Sequence, residues 1–370
     1  MQKKITIKDY FGLLVNSFLG IGILSLASDL AKVSEQSAWI SAILSGIPSL
    51  LIILIVYFLY KQTERKDFAS LLECLYGKTL SKILFCFFFI HSLIQNTVLL
   101  YKFTLVIKMS FARYMPVCII AIIISALSIL ICSKDINIIG RLSTFVLFFV
   151  IPILLVPCIL MYKGDVKNVL PVVSSYKKIF SSLPKSILAY TGAESTFFIM
   201  YLLDEDKHLL KSSMYGIGTI ILLYAISVFS IIYYLGYELT GKLTFPVIFC
   251  FEVIRLPLFS DFKELFMLTW SFTILATSAF QNYQMSYVVK SLYKKISNKI
   301  LFIILLPLIT ASALLAIFYQ TYRVKYIIPL STITNIILYI IVLISFIICI
   351  FKFGIRRGDK NNKFVSKKSL

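Results

Sequence analysis

Long apolar runs alternate with short polar breaks along nearly the whole chain. A helix needs roughly 20 apolar residues to cross a bilayer. Measured against that length, the pattern predicts ten spans, at 9–32, 38–60, 79–108, 116–133, 139–162, 183–203, 212–236, 263–290, 299–319 and 331–352. The third and eighth are long enough to tilt, and the fourth lies at the short limit. Two connecting segments carry more than loop chemistry. Residues 164–182 join the fifth and sixth spans. Residues 244–259, "TFPVIFCFEVIRLPLF", are apolar, bounded by Pro246 and Pro257, and too short to span. They read as an interfacial or re-entrant helix, with Glu252 and Arg255 spaced i, i+3 to pair on one face.

Two of the predicted spans are interrupted. The first contains "GIGIL", with Gly20 and Gly22 mid-run, and the sixth contains "YTGAEST", with Gly192 beside Glu194. Glycine weakens a helix interior by about 1 kcal/mol relative to alanine. Irregular backbone at membrane depth is tolerated only where protein buries it or a cavity adjoins it. Breaks at matching positions of two five-helix halves are the sequence pointer to an inverted-repeat transporter architecture. The expected fold is therefore an all-α integral membrane protein with ten transmembrane helices. It forms one membrane domain of two halves, 1–162 and 183–352, and a basic tail at 353–370.

Polar residues inside the spans are the candidate site. Glu194 is the most expensive, since a mid-span carboxylate costs about 2.5–3.5 kcal/mol on insertion scales. It reads as a ligand contact, a proton site or a gate, or as a structural partner of a neighbouring backbone or of a lysine such as Lys102. His91, Gln95, Val98 and Lys102 fall on one face of the third span. That stripe either lines a ligand path or bonds to neighbouring helices, and Lys102 alternatively snorkels to the interface. Thr273, Thr277, Gln281 and Gln284 share a face of the eighth span beside Asn282, and Asn16 lies one turn before Gly20.

Charge sharpens the picture. Lysine and arginine together number 37 against 17 acidic residues, a formal net charge of +20 in 370 residues. The basic residues are split among loops and the tail, so they read as membrane topology and contacts with lipid headgroups, with no nucleic-acid partner. Their excess on the side holding Lys8, Lys61, Lys134, Arg141, Lys290 and the tail places both termini in the cytoplasm. The cysteines form no CxxC pair and, with His91 and His208 far apart, no metal-ligand spacing. No catalytic or phosphate-loop motif is present. No enzyme activity, cofactor or metal is expected.

Several stretches together resemble one family: "ITIKDYFGLLVNSFLGIGIL", "SAWISAILSGIPSLL", "LLECLYGKTLSKIL", "IIGRLSTFVLFFVIP", "NVLPV", "YTGAESTFFIMYLLDEDK" and "FPVIFCFEVIRLPLFSDFKELFMLTW". Their order and spacing resemble the spore germination permeases, the B subunits of nutrient germinant receptors. That family lies in the amino acid–polyamine–organocation superfamily of LeuT-type fold. The chain departs from the family pattern at Ala27 and Ser28, where a proline is common, and at Lys263, where arginine is usual.

The resemblance implies a site and a role. Backbone amides around Gly20, Gly22 and Ile23 would hold a ligand carboxylate at a helix N-terminus. Carbonyls near Thr191 and Gly192 would hold its amine, with Glu194, His91, Gln95, Thr277 and Gln281 shaping the rest. The expected ligand is a small nutrient, an amino acid in the first instance. The expected partners are a large membrane subunit and a lipoprotein subunit of a receptor in the spore inner membrane. A proton- or cation-coupled amino-acid transporter is the alternative implied by the same residues.

Overall fold

The computed structural model describes residues 5–64, 67–110, 112, 114–203, 206–254, 262–293 and 295–354. Helices account for almost all of their regular structure; strand-type pairing is one parallel bridge, Ile5 to Leu203. In chain order the helices are α1 (Ile7–Phe18), α2 (Gly22–Ser34), α3 (Ala38–Ser45), α4 (Ile47–Gln62), α5 (Phe68–Ser110), α6 (Val117–Cys132), α7 (Ile136–Leu154), α8 (Tyr176–Ser182), α9 (Thr196–Ile199), α10 (Asp206–Lys242), α11 (Pro246–Val253), α12 (Phe262–Leu292), α13 (Asn298–Phe318), α14 (Gln320–Tyr322) and α15 (Ile328–Phe353).

Each of the ten expected spans has a counterpart. The first is α1 plus α2, interrupted at 19–21, and the second is α3 plus α4. The third, α5, starts earlier than expected: a short helical stretch precedes Gly77, whose φ of 77° breaks the run. The sixth is no regular helix. It consists of a 3-10 turn at Leu183–Ser186, irregular backbone, a second 3-10 turn at Ala193–Ser195 and the single turn of α9. Among the described residues six helical stretches are long and apolar enough to cross a membrane by length and composition, and Val117–Cys132 is a shorter apolar helix. The rest of the expected spans fall short of that measure because they are broken or carry many polar side chains.

The bundle is apolar outside and polar within, as lipid solvation requires. Ile303, Phe148 and Phe351 are exposed, while Asn16, His91, Gln95, Asn96, Asn282 and Gln284 are buried. Two layers result. The first span packs with α10 and α3, while α5, α6, α12 and α13 pack mutually as a scaffold. The α7 helix bridges α1 and α12, and α15 lies on α4 and α5. Asparagine pairs fasten the scaffold: Asn96 Nδ2 donates to Asn282 Oδ1 (2.7 Å), and Asn282 Nδ2 to Ser128 Oγ (3.0 Å).

The helix ends follow local rules. Thr6 caps α1, its hydroxyl accepting from the Asp9 N–H (3.2 Å) and donating to Asp9 Oδ2 (2.8 Å). The segment expected at 164–182 folds onto the turn between α2 and α3. Gln36 donates to the Pro171 carbonyl and Ser37 to the Val172 carbonyl, and Lys178 pairs with Glu35 at 2.6 Å. The re-entrant segment is α11, whose Phe251 stacks on Phe262 and Phe266 of α12. Arg255, the partner expected for Glu252, lies outside the described residues, as does the tail beyond 354. Glu252 pairs with Lys263 of α12 at 2.9 Å.

Aromatic side chains fill the half of the bundle nearest the N-terminus. Phe68 meets Phe85, Phe88, Phe197, Phe198 and Tyr287, and Tyr287 extends the group to Tyr201 and Tyr283. Tyr60 reaches the Phe197 carbonyl with its hydroxyl. Phe68→Ala should therefore destabilise the protein by about 3–5 kcal/mol, the usual cost of emptying a buried aromatic site. Thermal unfolding of the purified variant in detergent would check this; an unchanged midpoint would deny Phe68 that role.

Candidate functional site

The two breaks face one another at mid-depth. After α1 the chain turns tightly, with Leu19 N–H bonding to the Asn16 carbonyl (3.0 Å) and Gly20 N–H to the Phe18 carbonyl (2.8 Å). The α2 helix then starts at Gly22 with no side chain capping its N-terminus. Its leading amides thus stay available to a ligand or water. Opposite, Gly192 adopts φ 138°, a region closed to residues with a Cβ.

Helix proximity explains two of the glycines. A Cβ on Gly22 would lie 2.6 Å from Ala189 Cα, and one on Gly192 would lie 2.7 Å from the Ser17 carbonyl oxygen. Each glycine therefore receives the backbone of the other break. Gly20 is different: a Cβ there would meet only Leu99 Cδ1, at an ordinary 3.6 Å. Side chains complete the seam. Tyr224 Oη of α10 lies 2.6 Å from the Phe18 carbonyl and 3.1 Å from that of Ala189. Ser17 Oγ lies 3.2 Å from the Gly192 carbonyl and 3.0 Å from Ser195 Oγ.

Between the breaks and α5 lies a cavity of about 40 Å³. At about 10–15 Å³ of such space per water, it has room for roughly three waters. Its wall includes Gly20, Gly22, Gln95, Thr191, Thr277 and Gln281 from the expected site. Ile23, Gly192, His91 and Glu194 are not in that wall. Ile23 is buried in the apolar core. Glu194 Oε2 instead accepts the Gly192 N–H (2.9 Å), and its Oε1 lies 3.7 Å from His91 Nε2. The carboxylate thus faces His91 and not Lys102, and His91 stacks on Phe87.

Lys102 itself lines the cavity, where outward snorkelling was one expectation. The nearby opposite charge is Asp29 of α2. Two acceptors near the first break lack partners, Asn16 Oδ1 and Gln281 Oε1, although Asn16 Nδ2 donates to Thr277 Oγ1 (3.1 Å). A closed run of hydrogen bonds supports the far wall. Thr191 Oγ1 lies 3.4 Å from Asn335 Oδ1, Asn335 Nδ2 donates to the Ser331 carbonyl (2.8 Å), and Ser331 Oγ donates to Gln95 Oε1 (3.0 Å). Ser17, Tyr224, Ser331 and Asn335 escaped sequence reasoning. For Ser331 and Asn335, an i, i+4 polar pair in an otherwise apolar last span was the available signal.

The family model described as "Spore germination protein" matches residues 4–323. The chain belongs to the spore germination protein family. Among curated relatives, Spore germination protein B2 of Bacillus subtilis (strain 168) is 22% identical over 279 residues, 73% of this chain and 74% of that protein. Spore germination protein YndE of the same organism is 21% identical over 298 residues, 79% of this chain and 82% of its own length. Among solved structures, a substrate-bound, outward-open Na+-coupled sialic acid symporter superposes with a TM-score of 0.66 at 12% identity, over 93% of this chain and 79% of that one. MhsT in complex with L-phenylalanine gives 0.64 at 14% identity, over 95% and 99%. The membrane fold is LeuT-like.

Substitutions at the seam should separate packing from binding. Gly22→Ala should lower stability by about 1–3 kcal/mol through overpacking against Ala189, whereas Gly20→Ala should stay within about 1 kcal/mol of the parent. Equal midpoints for the two variants in detergent would refute the assignment. Glu194→Ala, which strands the buried Gly192 amide, should cost about 1–3 kcal/mol, with Glu194→Gln retaining most of the stability. Indistinguishable losses in that pair would remove the amide from the explanation.

Proposed function

We propose that this protein is the ligand-sensing membrane subunit of a spore nutrient receptor, and that a small amino acid binds between its two broken helices. The carrying observation is the cavity at the uncapped start of α2, which brings Lys102, Gln95, Thr191, Thr277 and Gln281 to one place. A carboxylate suits the leading α2 amides and the Lys102 ammonium, since both favour negative charge. An ammonium suits the unpartnered oxygens of Asn16 and Gln281. Gln95, Thr191 and Thr277 give the pocket its polar wall.

The cavity is smaller than an amino acid, so binding requires the breaks to part. A ligand that favours the parted form shifts the population toward it. In this reading the partner subunits, a large membrane protein and a lipoprotein, detect that shift in the spore inner membrane, with both termini cytoplasmic. Membership of the family supports the reading. A solute-coupled transporter is the second reading, favoured by the buried His91–Glu194 pair and by the kind of protein the structural neighbours are.

Titration calorimetry of the purified chain against a panel of amino acids tests the site. Gly20→Val should fill the cavity and abolish binding while the thermal midpoint is kept. Lys102→Gln should weaken binding tenfold or more, the usual worth of a charge-assisted contact. Parent-like affinity in both variants would remove the ligand from this cavity. Uptake of the bound amino acid by proteoliposomes, abolished by Glu194→Gln, would favour transport; binding without flux would favour sensing.

A further inference from the structure

A second and much larger cavity, of about 390 Å³, lies at the end of the bundle that carries the N-terminus, beneath the aromatic cluster. Nothing in the proposed ligand site draws on it. One wall is apolar, formed by Ile129 of α6, Ile136 of α7 and Leu301, Phe302 and Leu305 of α13. The other is polar and includes Lys134 and Lys290, with Ser133, Ser286, Asn298 and the tyrosines of the aromatic cluster. Among the described lining residues Asp135 is the one acid against the two lysines.

The lysines stand at helix ends. Lys134 follows the last turn of α6, and Lys290 is in the last turn of α12. Lys290 Nζ donates one hydrogen bond to Asn298 Oδ1 (2.6 Å). An ammonium has three donors, so two remain for another acceptor. The 19-residue α7 and the 21-residue α13 begin at this cavity while α6 and α12 end there, so the helix dipoles offset and the two lysines supply the charge. An apolar wall beside a cationic rim matches an amphiphilic anion. Basic pockets between membrane helices are where anionic headgroups settle.

We propose that this cavity binds a phosphate-bearing anion, with Lys134 and Lys290 holding the phosphate. A phospholipid headgroup would also lay its first methylenes along Ile129, Leu301 and Leu305, whereas a free phosphate compound would use the polar rim alone. Tyr201 of the sixth span lines the cavity and also contacts Tyr60 and Tyr287, so an occupant touches the span that carries the second break.

The test uses the full chain in a neutral detergent at constant ionic strength. The probes are dihexanoyl-phosphatidylglycerol, dihexanoyl-phosphatidylcholine and sodium pyrophosphate, read by native mass spectrometry and thermal shift. Phosphatidylglycerol or pyrophosphate should bind and raise the midpoint, and phosphatidylcholine should not. Lys134→Gln/Lys290→Gln should weaken binding roughly thirtyfold, as expected for two lysines near an anionic surface. Lys134→Arg/Lys290→Arg should retain it. Lys163→Gln/Lys325→Gln, exposed at the opposite end, should leave it unchanged. A response to phosphatidylglycerol alone identifies a lipid, to pyrophosphate alone a soluble ligand, and to both the phosphate group itself. No response beyond that to phosphatidylcholine, or an equal loss with Lys163→Gln/Lys325→Gln, overturns the proposal.

Discussion

The Tyr224 hydroxyl stands within hydrogen-bond distance of the Phe18 and Ala189 carbonyls at once. The rest of the structure depends on what this contact represents. A broken helix in a bilayer exposes backbone groups that lipid cannot satisfy, each at several kcal/mol. One opened helix would be untenable. Two opened helices placed face to face can satisfy part of one another's need, with a few side chains supplying the remainder. Tyr224, Ser17 and Glu194 act as that remainder, and the bareness of Gly22 and Gly192 lets the two backbones come close enough.

The scaffold is shaped by the same requirement. Once the seam is fixed, α5 and α12 must present polar groups toward it and apolar groups away from it. Gln95, Lys102, Thr277 and Gln281 obey on the cavity side, and Asn96, Asn282 and Gln284 lock the two helices together one face further round. Ser92 donates to Gln284 at 3.0 Å and Ser278 to Asn96 at 2.8 Å, so polar groups that lipid would punish serve here as rivets.

Much of this was legible in the sequence, for identifiable reasons. Span positions follow from apolar run length, which the bilayer fixes. The breaks follow from Gly20, Gly22 and Gly192, because glycine is costly in a helix and so marks a special backbone. Helical phase put Gln95, Val98 and Lys102 on one face, and they line one cavity. Pairing was not legible. Nothing local says that Glu194 meets His91, that Tyr224 serves the first span from more than 200 residues away, or that Glu252 meets Lys263. The reason for a glycine was equally hidden. Gly20 and Gly22 look alike in sequence, and only tertiary packing shows that one faces space and the other a backbone.

The aromatic cluster has a directional consequence. On the side of the cavity away from the N-terminus stands Lys102, with the opposite charge of Asp29 near it. On the other side stand Phe88, Phe197, Phe198, Phe68 and Tyr287, rings packed with neighbouring centroids 4.4–6.1 Å apart. Separating such rings forfeits contact with every neighbour at once. The two sides of the cavity are thus built unlike each other: contiguous rings close one, and a few charged side chains stand on the other.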